Sequence, residues 1–168
     1  MNSSNKCVFL DRDGVINKEI GDYIKRLEDF EILPHVIPGL KILTEAGYKL
    51  IIITNQGGIA KGLYTQAEMN KMHHYLTKEL SAYGVEFADI YFCPHHPEKS
   101  NCLCRKPDSI MVEKALSKHR INPSLSYFIG DKERDIVCGQ KVGVAGILIE
   151  SNENWIPLVE KIILKQGM

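Results

Sequence analysis

Apolar residues along this chain follow two patterns in turn. The first is the short continuous run, rich in β-branched and aromatic residues: "KCVFLD" (6–11), "KLIIITNQ" (49–56), "FADIYFC" (87–93), "SYFIGD" (126–131) and "VAGILIE" (144–150). Runs of that length predict strands buried on both faces. The second is helical spacing, over 36–48, 64–84, 109–120, 132–143 and 153–163. Pro38 near the start and Gly47 near the end bound the first of these helices. Thr65, with Glu68 three residues on, makes a capping box for the second. Asp108 is the expected N-cap of the third. Pro157 predicts an interruption or kink in the last. Strand and helix alternate throughout, which implies an α/β fold: a parallel sheet sandwiched by helices.

Composition narrows the class. The 168 residues suit a single domain spanning 1–168. They are 44% hydrophobic and 25% charged, which argues against a disordered chain. Lys plus Arg and Asp plus Glu are both 21, so no global field draws nucleic acid or an anionic membrane. The opening "MNSSNK" lacks the apolar core of a signal peptide, and no run approaches a membrane span. The expectation is a soluble cytoplasmic monomer that engages neither nucleic acid nor membrane.

Candidate chemistry gathers where the predicted strands end, which is where ligands bind in open α/β sheets. "FLDRDGVIN" (9–17) ends the first strand in Asp11 and Asp13, two like charges that along an extended strand face the same way. Their repulsion is relieved by a divalent cation or a shared proton. One such carboxylate can attack phosphorus, and the other can shuttle the proton. "ITNQGG" (53–58) offers Thr54, Asn55 and a glycine-rich turn whose N–H groups can meet an oxyanion. "CRKP" (104–107) presents Arg105 and Lys106 as adjacent cations. "IGDKERD" (129–135) supplies Asp131 as a further oxygen ligand. Asp135 reads equally as a catalytic group or as charge favourable near a helix N-terminus.

The five cysteines divide in two. Cys7 and Cys138 stand alone and read as small buried hydrophobes. Cys93, Cys102 and Cys104 share the loop "CPHHPEKSNCLC" with His95 and His96. Three thiolates and one imidazole make a closed, structural zinc site, and spacing does not choose between the two histidines. The other histidines (His35, His73, His74 and His119) read as surface or satisfied core residues, and Trp155 as a cover for the sheet.

In chain order these stretches are D-x-D-G, T-N, K-P and G-D-x-x-x-D, over about the whole chain. That set resembles the haloacid dehalogenase superfamily of phosphatases. The resemblance implies a Rossmann-like fold, Asp11 as nucleophile, Asp13 as general acid/base, and Thr54 and Lys106 on the phosphoryl group. It also implies Mg²⁺ on Asp11, Asp131 and the backbone carbonyl of Asp13. "DRDGVIN", "NQGGIAKGLYT", "CPHHP" and "CRKP" are similar to the branch that holds the D,D-heptose 1,7-bisphosphate phosphatases and the histidinol-phosphatase domains. The sequence between the first strand and the first helix is about two dozen residues, which leaves no room for a separate cap domain. In that branch, C-x-H followed by C-x-C selects His95, so Zn²⁺ is expected on Cys93, His95, Cys102 and Cys104. By the same resemblance Asn55, Gln56 and Arg105 face the substrate, a sugar bisphosphate, and Glu19, Ile20, Gly21, Asp22 and Tyr23 form its rim.

Overall fold

A computed structural model describes residues 5–166, with the side chains of the last two left aside. Most of the polar opening segment therefore lies outside the described residues. Five strands, β1 (Cys7–Leu10), β2 (Lys49–Asn55), β3 (Asp89–Cys93), β4 (Tyr127–Gly130) and β5 (Ala145–Leu148), form one sheet. Its order is β3-β2-β1-β4-β5, and every pairing is parallel. Five helices follow the strands: α1 (Val36–Glu45), α2 (Gln66–Ser81), α3 (Ile110–His119), α4 (Glu133–Gln140) and α5 (Ile156–Gln166).

The strands are apolar on both sides because both sides are covered. Val8, Leu10, Leu50 and Ile52 pack with Leu40 and Leu43 of α1, Met72 and Leu76 of α2 and Val159 of α5. The alternate positions Cys7, Phe9, Ile51 and Ile53 pack with Val112 of α3 and Cys138 of α4. Cys7 and Cys138 are thus core residues, as is Trp155, which also donates its indole N–H to the Val15 carbonyl at 3.0 Å. Parallel connection needs a crossover helix after each strand. The chain runs outward from β1 to β3, then returns to β4 on the other side. The reversal at β1 opens a crevice at its carboxyl end.

Two local expectations are corrected. Ser109, not Asp108, is the N-cap of α3, and its side chain makes no capping bond. The Asp108 carboxylate is drawn instead to Lys141, the C-cap of α4, at 3.3 Å. Pro157 neither breaks nor kinks a helix: α5 starts at Ile156, so Pro157 lies in the first turn, where its missing N–H costs nothing. The Thr65–Glu68 capping box forms in both directions. Residues 11–35, between β1 and α1, hold one 3₁₀ turn and two isolated bridges, with no inserted cap.

Candidate active site and metal centre

Asp11 leaves the end of β1 in the crevice between β2 and β4. Its backbone is still tied to the sheet, with its N–H donating to the Ile129 carbonyl at 3.0 Å. The turn that follows needs Gly14 twice over. Its φ of +84° is left-handed, and a Cβ there would collide with the Asp131 carboxylate. Asp11, Asp131 and Asp135 bring carboxylate oxygens within 4.8 Å of one another.

The buried ammonium of Lys106 lies 2.7 Å from Asp11 Oδ1 and 2.7 Å from Asp135 Oδ1. It also donates to the Ile53 carbonyl at 2.7 Å. Burial alone would push this ammonium down, but the two carboxylates outweigh it and hold it above its ordinary value. Asp11 is pushed up to about 7, first by burial and then by the charge on Asp135, against the pull of Lys106. Lys132 Nζ lies 3.1 Å from Asp131 Oδ2, so three carboxylates face two ammonium groups, and the negative charge left over is one that a divalent cation fits. Asp135 has its oxygens engaged: Oδ1 meets Lys106, and Oδ2 accepts the Lys132 N–H at the start of α4. Asp135 thus stands at the N-terminus of α4, as charge favourable there, and also pairs with Lys106.

Asp13 is one-quarter exposed and faces the cavity. Its Oδ1 accepts from Arg12 Nη2 at 2.7 Å and from Asn17 Nδ2 at 2.9 Å, and its Oδ2 accepts from Gln56 Nε2 at 3.1 Å. Burial opposes the charge, but Arg12 and these donors prevail and hold the carboxyl below its usual range. Arg12 is itself buried, under the Phe30 ring, with Nη1 3.4 Å from His73 Nε2.

A cavity of about 570 Å³ opens above these groups. Asp11, Asp13, Asp131, Asn55, Gln56, Arg105 and the rim residues Glu19, Gly21, Asp22 and Tyr23 all line it. Ile20 does not: its side chain is turned out and half-exposed. Thr54 and Lys106 lie beneath the lining, fully buried. Thr54 Oγ1 accepts from Gln56 Nε2 at 2.8 Å, so its own O–H stays available to donate. Asn55 is turned to an internal task. Its amide accepts from the Lys106 N–H at 3.0 Å and donates to the Lys106 carbonyl at 3.1 Å. Lys132, Arg134, Tyr64 and His96 also line the cavity and were not anticipated. For Lys132 and Arg134 a signal existed, since both lie within "GDKERD" beside Asp131.

The cysteine loop closes on itself. Cys93 Sγ lies 2.9 Å from Cys104 Sγ and 3.7 Å from Cys102 Sγ. His95 Nδ1 lies 3.2 Å from Cys104 Sγ and 3.6 Å from Cys93 Sγ. All four ligand atoms are within 4.8 Å of one another, so the cluster can hold a metal ion. A tetrahedral zinc with bonds of about 2.3 Å to sulfur would set the thiolates about 3.8 Å apart. His96 is outside the cluster, with Nδ1 accepting from the Glu98 N–H at 3.2 Å.

Comparison with known proteins agrees with this geometry. Residues 103–161 match a family model described as HAD-hydrolase-like. The D-glycero-alpha-D-manno-heptose-1,7-bisphosphate 7-phosphatase of Photorhabdus laumondii subsp. laumondii is 42% identical over 145 residues, covering 83% of this chain and 79% of that one. The D-glycero-beta-D-manno-heptose-1,7-bisphosphate 7-phosphatase of Helicobacter pylori strain 26695 is 41% identical over 148 residues, covering 88% and 84%. The D,D-heptose 1,7-bisphosphate phosphatase of B. bronchiseptica, solved with magnesium and phosphate, superposes with a TM-score of 0.83 at 29% identity, over 92% of this chain and 86% of that one. At such identity and coverage, this chain belongs to the heptose-1,7-bisphosphate 7-phosphatase family of HAD-like hydrolases.

Proposed function

We propose that this chain, acting as one domain over residues 1–168, removes the 7-phosphate of D-glycero-D-manno-heptose 1,7-bisphosphate as inorganic phosphate. The observation that carries the reading is the Asp11–Lys106 pair at the base of a cavity lined by both acids and cations. The names of the relatives supply the substrate.

Asp11 attacks phosphorus, and the bond from phosphorus to the sugar oxygen breaks. The anionic phosphate bound beside Asp13 raises its carboxyl, so Asp13 takes up a proton from solvent on binding and gives it to that leaving oxygen; the sugar departs as a neutral alcohol and Asp11 carries the phosphoryl group. Asp13, now a carboxylate, takes a proton from water as the water oxygen attacks phosphorus. Inorganic phosphate leaves and Asp11 is restored. The Thr54 hydroxyl and the Lys106 ammonium serve the phosphoryl oxygens, whose charge grows in the transition state. Gln56 holds both Thr54 and Asp13, which keeps donor and acid in register.

Asp11, Asp131 and the Asp13 backbone carbonyl would hold Mg²⁺, whose role is to neutralise charge between the nucleophile and the phosphoryl group. Cys93, His95, Cys102 and Cys104 would hold a structural Zn²⁺. Arg105 reads the distal part of the substrate, with Glu19, Gly21, Asp22 and Tyr23 as rim.

The test is phosphate release by the purified protein with Mg²⁺. Heptose 1,7-bisphosphate should give the highest kcat/KM. Faster turnover of histidinol phosphate would refute the substrate assignment. Retained turnover in Asp11→Asn would refute the nucleophile.

A further inference from the structure

The turn after β5, "SNENW" (151–155), lies far from every motif in sequence, yet it touches three parts of the site. Asn152 adopts φ +70°, a left-handed conformation that asparagine tolerates and most side chains do not. In that conformation its own N–H donates to the Gly14 carbonyl at 2.8 Å. Its side chain grips the main chain of Glu19 from both sides. Oδ1 accepts the Glu19 N–H at 2.7 Å, and Nδ2 donates to the Glu19 carbonyl at 3.0 Å. Its neighbour Ser151 donates to the Asp131 carboxylate and accepts from Lys132 at 2.9 Å.

Glu19 begins the rim, and the rim's far end is fixed separately: the Tyr23 ring lies 6.4 Å from that of Tyr64, and Ile24 is buried in the core. Ile20, Gly21 and Asp22 are exposed, and the bonds of Gly21 and Tyr23 go to neighbouring side chains of the same loop. Between those two ends the exposed stretch makes local bonds alone, and such a stretch opens at low free-energy cost once one anchor is lost. The reciprocal amide pair at Glu19 is the anchor of its near end. We propose that Asn152 is a specificity-positioning residue: it fixes the rim loop at Glu19, so that selection of the extended sugar bisphosphate over compact phosphate esters depends on it. Asn152 itself need not touch substrate. The selection part rests on the function proposed above, whereas the anchoring of Glu19 does not.

Asn152→Gly is the clean variant, because glycine keeps the left-handed backbone without strain and removes only the clamp. Asn152→Asp is the second, retaining the acceptor but setting an oxygen against the Glu19 carbonyl. Two quantities are measured: kcat/KM for heptose bisphosphate over that for p-nitrophenyl phosphate, and hydrogen exchange of the Glu19 amide. For Asn152→Gly the selectivity ratio should fall about tenfold, chiefly through KM, as expected for the loss of paired hydrogen bonds. Glu19 exchange should quicken by about the same factor. Asn152→Asp should lower the ratio as well, with a smaller gain in exchange. Unchanged selectivity with faster exchange would overturn the proposal, as would an equal loss on both substrates with Glu19 still protected. Should the wild type leave the bisphosphate untouched while the variant's Glu19 exchange quickens, the substrate assignment fails and the anchoring stands.

Discussion

The Lys106 ammonium stands 2.7 Å from the Asp11 carboxylate, although 95 residues separate them in the chain. The pair is buried and shared with Asp135, so it is electrostatically exposed to any change of charge. Lys106→Met removes the counter-charge and leaves two carboxylates facing each other in a dry site. Breaking a buried pair from one side costs about 3–5 kcal/mol, and urea unfolding should read a loss of that order. Turnover should fall by at least about 10²-fold, as when a single fixed donor is lost from a charged transition state. A variant of wild-type stability and activity would refute the role given to this lysine.

The second pair, Arg12 and Asp13, predicts a dependence on the leaving group. Arg12 uses one arm of its fork on Asp13 and the other toward His73. Arg12→Met removes the one charged donor on Asp13 and leaves Asn17 and Gln56 alone to orient its carboxylate. Turnover of a sugar phosphate, whose alkoxide must be protonated, should drop about tenfold or more. The phosphorylation step with p-nitrophenyl phosphate needs no such proton and should lose less. Arg12→Lys restores charge but not two-point geometry, so it should rescue only in part. Burst kinetics on the two substrates would measure this.

His73 sets a pH limit on stability. Burial and the neighbouring Arg12 push the imidazole down to about 4, against 6.5 in the unfolded chain. Between those values the unfolded state binds the extra proton, so stability is full above pH 6.5 and declines as pH falls toward 4. The full contribution is about 3 kcal/mol. His73→Gln should flatten the fall in unfolding free energy between pH 7 and pH 4.5 by an amount of that order. An unaltered pH slope would refute the assignment.

The thiolate cluster predicts composition as well as stability. Elemental analysis should give about one zinc per chain, since four converging ligands close a tetrahedral site. Cys102→Ser should lower both zinc content and melting temperature. Chelation should cost stability that added Mg²⁺ does not restore. A zinc-free protein with an undiminished melting temperature would rule the site out.

How much of this was readable in the chain depends on distance. Asp11, Thr54, Cys93 and Asp131 each end, or directly follow, a strand whose apolar run is plain, so their convergence follows from the topology alone. Lys106 was legible as a motif, but its burial under the cavity floor was not. Arg12 was hidden for another reason: between two acids it looks like ordinary solvated charge, and only its burial under Phe30 shows otherwise. Asn152 had no local signal at all, because its meaning lies in a loop 133 residues upstream. Asn55 lines the cavity, as expected of a residue at the end of β2, but the pairing of its amide with the Lys106 backbone depends on where the loop after β3 returns. The N-cap of α3 was misread for the same reason, since Lys141 competes for Asp108 from the C-terminal end of α4.

The cysteine loop returns to the site in a tightly constrained way. Cys104 is followed at once by Arg105 and Lys106, and Asn55 clips the Lys106 peptide from both sides. Upstream, Cys93 belongs to the sheet and His95 joins the same cluster. Both ends of the excursion are therefore fastened, and residues 96–101 hang between fixed posts. That interval can therefore be lengthened, shortened or resequenced without moving Lys106. His96, which lines the cavity from this interval, is thus a lining position that can be exchanged without disturbing the clipped Lys106 peptide.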